Sequence, residues 1–394
     1  MNIGMFSDTY IPQKNGVATA LKLYKEEMEK RGHNVYLFVP KYEFDYKRNE
    51  ENVFEFPAVK FFFEKDQRIA LPFSSEVFKI KDLNLDIIHS HDPFSMGILA
   101  RMISHMLKVK HIGTHHTMYE YYTHYLPAIM RPRPEFVQKI IRNWCLKTDK
   151  VIAPTENIKS TLVEYGVPTD HIVTIPTGID LDSFDKPVEW NLRREYSQIK
   201  EEDRILLFVG RLGKEKNIDF LLQVFANVLS QEKKVKFVIV GGGPERENLE
   251  KSCDELKIRD HVIFTGGLSR EKVLDIYKQS DLFIFASYTE TQGLVILEAM
   301  AAGTPVVALG KAGVYDILSK EGSGGIMIKD LDRNDFANEI IKLLRNTNQY
   351  EELKQKSKKF VRENFSIENC VERILDLYQK LIGKKSSGKK EKDC

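Results

Sequence analysis

Short apolar runs that end in loops alternate with helical patterns along most of this chain, and the alternation occurs twice. From the amino terminus, Asn2–Phe6, 34–39, Ile87–Ser90 and 111–114 fit strands, while 17–31 and 96–107 repeat apolar residues at helical spacing. Lys150–Ala153 fits a further strand, followed by a short helix ending near Gly166. A second set begins at 205–209 and continues through 237–241, 262–264, Leu282–Phe285 and 305–308. Strands alternating with helices give a parallel sheet covered by helices on its faces. At 394 residues the chain exceeds what one core comfortably supports, so the expected fold class is α/β with two doubly wound domains in tandem. The expected boundaries are 1–185 and 186–365, with the polar stretch 182–203 as the linker. A C-terminal helix over 366–382 is expected to return to the first domain, and the Lys/Ser/Gly-rich tail 383–394 to be disordered.

Composition removes several function classes. A net charge of +2 is too balanced to announce a nucleic-acid partner. Cys145, Cys253, Cys370 and Cys394 have neither CxxC nor metal-site spacing and read as reduced thiols. The opening Met1-Asn-Ile-Gly-Met-Phe runs straight into a strand without a signal-peptide pattern, and no apolar run has the length to span a bilayer. Any membrane contact is therefore expected to be peripheral.

The richest local pattern is Glu290-Thr-Gln-Gly-Leu-Val-Ile-Leu-Glu298. Glu290 falls on the loop after the strand 282–285, and Glu298 falls about one and a half turns into a helix over 293–302, roughly 7–8 Å from its start. The amino end of such a helix offers free N–H groups and a positive dipole end, which suit a phosphate. A ligand with a diphosphate between two hydroxyl-rich ends, such as a nucleotide-sugar, satisfies carboxylate, N–H cradle and carboxylate together. The same spacing also fits a solvated helix face.

Other motifs add to this reading. Arg211, Lys214 and Lys216 lie on the loop after the strand 205–209, where an open α/β sheet binds its ligands; the alternative is a solvated basic loop. Asn15-Gly16-Val17 follows the first strand, and Gly16 would let the backbone approach a phosphate. Gly241-Gly-Gly-Pro-Glu245 lacks the established phosphate-loop spacings and reads as a tight turn, and Asp180 with Asp182 only superficially matches a metal motif. His89, His91, His115 and His116, with His124 nearby, either ligate zinc or, with no Cys or carboxylate set to complete such a site, hydrogen-bond a ligand. The segment 118–147 is aromatic and basic: Tyr119, Tyr122, Arg131, Arg133, Lys139, Arg142 and Trp144 fit an interfacial helix and its approach, or else a helix packed on its own sheet. Phe61-Phe-Phe63 and Ile69-Ala-Leu-Pro-Phe73 form a second apolar stretch.

Together these residues resemble a retaining GT4-type glycosyltransferase with the GT-B fold of two Rossmann-like domains facing across a cleft. The resemblance runs over nearly the whole chain. It implies that Arg211 and Lys216 hold a donor diphosphate, with Thr291, Gln292, Gly293 and Leu294 beside it and backbone N–H groups around Gly293 assisting. It implies that Glu298 takes the ribose hydroxyls, Glu290 the sugar hydroxyls, and that Gly16 belongs to the first-domain loop closing over the donor. His116 matches the active-site histidine of a T-x-H pattern. The preceding position holds His115 where the family pattern has an aromatic residue, so the choice between the two stays open.

More narrowly, Phe6-Ser-Asp-Thr-Tyr-Ile-Pro, His116-Thr-Met-Tyr-Glu-Tyr-Tyr and Glu290-Thr-Gln-Gly-Leu resemble bacterial 1,2-diacylglycerol 3-glycosyltransferases. That resemblance implies transfer of a hexose, glucose or galactose, from a UDP-sugar to diacylglycerol, with no metal cofactor, by a peripheral protein on an anionic cytoplasmic membrane face. The alternatives are a soluble or other lipid acceptor, or a nucleotide-sugar epimerase on the same fold.

Overall fold

A computed structural model describes residues 1–13, 15–42, 50–60, 68–71, 76–126 and 128–387. Fifteen strands form in chain order among these residues. The first nine are β1 (Asn2–Phe6), β2 (Asn34–Pro40), β3 (Val53–Phe56), β4 (Ala58–Lys60), β5 (Arg68–Ala70), β6 (Ile87–Ser90), β7 (Lys110–Thr114), β8 (Lys150–Ala153) and β9 (Ile172–Thr174). The remaining six are β10 (Arg204–Val209), β11 (Val235–Val240), β12 (Val262–Gly266), β13 (Leu282–Phe285), β14 (Val306–Leu309) and β15 (Ile326–Ile328).

The chain divides into two units. One comprises Met1–Gly178 together with the segment from Ile367 onward, and the other is Ile179–Ser366. The first contains a seven-stranded sheet of order β3-β2-β1-β6-β7-β8-β9, the second a six-stranded sheet of order β12-β11-β10-β13-β14-β15; β4 and β5 form a separate antiparallel pair. Neighbours within both large sheets run parallel. The central strands explain why: Leu282-Phe-Ile-Phe285 and Leu206-Leu-Phe208 are buried on both faces, which requires helices above and below.

In each unit the strand order reverses once, between β1 and β6 in the first and between β10 and β13 in the second. The connections from such a strand pair run to opposite faces of the sheet, and the crevice left at its carboxyl ends is the usual ligand position of an open α/β sheet.

Two expectations about organisation change. The polar stretch 182–203 is not a bare linker. It carries helices Asp182–Asp185 and Leu192–Glu195, and Phe184, Leu192 and Ile199 are buried in the core of the second unit. The first boundary therefore falls at Gly178, ahead of the expected 185. The last helix spans Ile367–Ser387, so it continues past 382, and residues 388–394 of the expected tail lie outside the described residues. Its Val371, Ile374, Leu375, Tyr378 and Leu381 pack with Ile3, Leu21, Tyr24 and Leu37 of the first unit.

Candidate active site

In the second unit, the loops after β10 and β13 meet at the strand-order reversal. Lys216 Nζ contacts Glu290 Oε1 in an ion pair, both side chains being largely buried. The two loops are joined through backbone, where Tyr288 N–H donates to the Glu215 carbonyl at 3.2 Å, and through a second side-chain bond, where Asn217 Nδ2 donates to the Tyr288 hydroxyl at 3.2 Å. Arg211 lies exposed on the same β10 loop. The Gly241-Gly-Gly-Pro segment packs on that loop, since a Cβ on Gly241 would sit 1.9 Å from the Gly210 carbonyl oxygen and one on Gly243 2.4 Å from that of Leu212. These glycines serve close backbone approach. Asp180, half of the superficial metal motif, accepts from the Ser183 hydroxyl.

Helix Leu294–Ala302 begins at Gly293, whose φ of 82° is in the left-handed region that favours glycine, and no side chain caps it among the described residues. Its first N–H groups are thus left to the crevice. Gly313 N–H donates to the Glu290 carbonyl at 2.8 Å, and a Cβ on Gly313 would lie 2.3 Å from the Thr291 carbonyl oxygen, so Glu290 and Thr291 are held by backbone contact. Gln292 is buried and Leu294 half-buried.

Glu298 is buried one turn farther along. Arg270 Nη1 lies 2.6 Å from its Oε1, and the Tyr277 hydroxyl donates to its Oε2 at 3.1 Å. A buried carboxylate needs such partners, and each oxygen keeps a lone pair for a ligand hydroxyl. Sequence reasoning missed Arg270 and Tyr277, because nothing in Ser269-Arg-Glu-Lys marks more than a helix start.

The first unit carries its own constellation at its strand-order reversal. Asp92, just past β6, accepts from Ser7 Oγ at 2.7 Å, the Asp8 N–H at 2.9 Å and the Tyr119 hydroxyl at 2.9 Å. Asp8 accepts from Ser95 Oγ and from the Met96 N–H, capping helix Ser95–Leu107. Burial, then the neighbouring Asp92, pushes the Asp8 carboxyl up to about 7. Both aspartates were missed, although carboxylates at the ends of β1 and β6 stand where the topology puts ligands. Gly16 opens helix Gly16–Lys30, where the Asn15 side chain accepts from Ala18 N–H.

The histidines gather on this side. His89 bridges Tyr378 and Thr114 at 2.6 Å each, and His91 Nδ1 lies 3.0 Å from His116 Nε2. His116 is half-buried, whereas His115 is buried edge-on against Tyr119. Burial holds His89 and His91 well below the ordinary imidazole range, His115 down to about 4 and His116 to about 3, with neighbouring imidazoles adding to the effect at all but His115. At neutral pH the cluster is uncharged and suited to hydrogen-bonding hydroxyls.

That cluster makes the first unit acid-sensitive. An unfolded histidine takes up a proton near 6.5, whereas these folded ones resist until the pH is far lower. Their stability is present above 6.5 and lost as pH falls toward about 4. Asp8 and Asp92 act oppositely over the same window, because burial raises their folded values, but four histidines outweigh two carboxyls. The melting temperature of the first unit should therefore fall between pH 6.5 and 4.5, as followed by Trp144 fluorescence in a Trp190→Phe variant; a flat or rising profile would contradict this.

The aromatic–basic segment divides in two. Helix Pro134–Cys145 buries Val137, Ile141, Trp144 and Cys145. Trp144 lies against β7, where a Cβ on Gly113 would come within 2.7 Å of its ring, so it is core and not a membrane contact. Tyr119, tied to Asp92, is likewise held inside. Arg131, Arg133, Lys139 and Arg142 are exposed, as are Phe136 and Ile140. The Tyr122 side chain, His124's side chain, Phe61-Phe-Phe63 and Phe73 lie outside the described residues.

The family described as Glycosyltransferase Family 4 matches residues 14–183, and that described as Glycosyl transferases group 1 matches residues 191–360. The chain is 38% identical over 384 residues to the alpha-monoglucosyldiacylglycerol synthase of Streptococcus pneumoniae, covering 96% of this chain and 85% of that protein. It is 31% identical over 337 residues to the protein of the same name from Acholeplasma laidlawii, covering 83% of this chain and 84% of that one. Among solved structures, sucrose-phosphate synthase from Thermosynechococcus elongatus superposes with a TM-score of 0.77 at 20% identity, covering 97% of this chain and 99% of that one. HepE from Anabaena, solved in complex with UDP-glucose, superposes with a TM-score of 0.73 at 15% identity, covering 96% and 100%. At these identities the two structures establish the fold: two parallel-sheet Rossmann-like units.

Proposed function

This chain is a glycosyltransferase of the GT4 type, and from that premise we propose a UDP-hexose as its donor and 1,2-diacylglycerol as its acceptor. The product is a monoglycosyl-diacylglycerol, with glucose favoured over galactose. The observation that supports the donor half is the Lys216–Glu290 pair at the strand-order reversal, a cation suited to a phosphate beside a carboxylate suited to a hydroxyl. The acceptor half rests on the name shared by the two relatives and on the exposed cations of residues 131–142.

Arg211, Lys216 and the N–H groups from Gly293 and Leu294 receive the diphosphate, with Thr291 and Gln292 shaping the loop. Glu298, steadied by Arg270 and Tyr277, takes the ribose hydroxyls. Glu290 takes sugar hydroxyls; neutral His116, braced by His91, is the active-site histidine, and Gly16 belongs to the loop that closes over the donor. The anomeric C–O bond breaks with its electron pair going to the diphosphate. The same face admits the 3-hydroxyl of diacylglycerol, whose proton passes to the diphosphate oxygen as the new C–O bond forms, so configuration is retained. The cations stabilise the leaving charge, and the step needs no metal cofactor; EDTA should leave it unaffected. The protein works as a peripheral enzyme on the cytoplasmic membrane face.

The test is release of UDP from UDP-glucose, and separately UDP-galactose, with and without vesicles containing diacylglycerol. Release that requires diacylglycerol is the expected result. Turnover on a soluble sugar with no lipid dependence would reject the acceptor.

A further inference from the structure

Lys216 and Glu290 face each other from loops that are fastened together. Lys216 ends the short turn Lys214–Lys216, where its N–H donates to the Gly213 carbonyl at 3.1 Å. That turn is tied to the Glu290 loop at the Glu215 carbonyl, which accepts from Tyr288 N–H and, at 3.3 Å, from Ser287 Oγ. On its other side the Glu290 carbonyl accepts from Gly313 N–H. Both backbones are clamped, so only side-chain rotation can part the carboxylate from the ammonium.

The two side chains are 13% and 16% exposed, and water screens charges so enclosed poorly. A diphosphate held by Lys216 therefore lies beside a carboxylate that has little room to withdraw. The ammonium has three donors and can touch both anions, yet the repulsion between them remains.

That repulsion weighs differently on substrate and product. In a UDP-hexose the terminal phosphate is esterified to the sugar, whose hydroxyls donate to Glu290. In UDP those hydroxyls are gone, and the freed phosphate titrates at about 6, so it is more negative at neutral pH. Glu290 meets UDP with like charge alone, whereas in the donor its hydrogen bonds offset that charge.

We propose that Glu290, besides contacting the sugar, selects donor over product: it competes with the terminal phosphate for Lys216 and recloses the ion pair as UDP leaves. The inference rests on the donor half of the proposed function and adds product release to it.

The test is isothermal titration calorimetry on the full-length protein near neutral pH, without lipid, using UDP, UDP-glucose and uridine. Glu290→Gln keeps the shape of the side chain and removes its charge. It should bind UDP about tenfold more tightly than the parent, the order expected on removing one like charge from a poorly screened site. UDP-glucose should gain less, so the preference for donor over product falls. Uridine has no phosphate and should bind parent and variant alike. Glu290→Asp retains the charge and should keep UDP affinity close to the parent's. Glu298→Gln, which alters the carboxylate paired with Arg270, should weaken UDP, the opposite sign.

Thermal unfolding verifies that each variant is folded and gives a second readout: UDP should raise the melting temperature of Glu290→Gln more than that of the parent. The proposal is overturned if Glu290→Gln binds UDP no more tightly than the parent. It is also overturned if uridine tightens by the same factor as UDP, which would mean a reshaped pocket. In both cases UDP binding by the parent leaves the donor reading standing. A parent protein that binds neither UDP nor UDP-glucose would reject the donor reading and this inference with it.

Discussion

Replacing Lys216 with alanine should lower kcat by about 10²–10³, the loss that follows removal of one charged group facing developing negative charge in a shielded site. Two effects act together. The diphosphate loses a cation as the anomeric bond breaks, and Glu290 loses the ammonium that now balances it within a largely buried pocket. A carboxylate left in that position repels the leaving diphosphate, so the defect should appear in kcat more than in the KM for donor. Lys216→Arg restores charge but not shape and should recover only part of the rate. A kcat within about threefold of the parent, the spread of context effects rather than the ~2.7–4 kcal/mol expected for a charge facing the leaving group, would remove Lys216 from the donor site.

Ending the chain after Ser366 should unfold the first unit and spare the second. The lost helix contributes Ile367, Val371, Ile374, Leu375, Tyr378 and Leu381 to the core around β1 and β2. At roughly 1.5–3 kcal/mol for each fully buried side chain, the deficit is on the order of 10 kcal/mol, comparable to the whole stability of a domain. The second unit's core contains none of these residues. The chain has two tryptophans, one in each unit, so Trp144 should report an unfolded environment at 25 °C while Trp190 still melts cooperatively. Cooperative melting at Trp144 in the truncated chain would show that the helix is dispensable. Tyr378→Phe, which keeps the ring but drops the hydroxyl bonded to His89, should cost only about 1 kcal/mol.

Much of this arrangement was legible in the residues because it depends on local pattern. The strands at the centre of each sheet are runs of apolar residues buried on both faces, and their alternation with helices admits few topologies. Glu290, Gly293 and Glu298 belong to one strand–loop–helix unit, so their placement could be read along the chain. Edge strands were harder: β15 is three residues long and follows two glycines, and β3 and β9 are as short or nearly so, too little to show a period.

What was not legible lies in contacts between distant segments. His89 meets Tyr378 across 289 positions, and Ser7 meets Asp92 across 85. No spacing rule links such residues. Trp144 shows the opposite difficulty. Helix Pro134–Cys145 has apolar residues on two faces, and only the gap over Gly113 decides that Trp144 turns inward while Phe136 and Ile140 turn outward. The stretch 182–203 looked like a linker because its few apolar residues have no regular spacing, yet three of them reach the core.

The most direct test of the whole account is the structure of the product formed from UDP-[¹³C]glucose and 1,2-diacylglycerol, read by NMR on the extracted lipid. The expected product is a single glucosyl-diacylglycerol linked at the 3-hydroxyl, with the small H1–H2 coupling of an α-anomer. A β-linked lipid would contradict the retaining step, and label recovered only as free glucose or in a water-soluble product would contradict the acceptor.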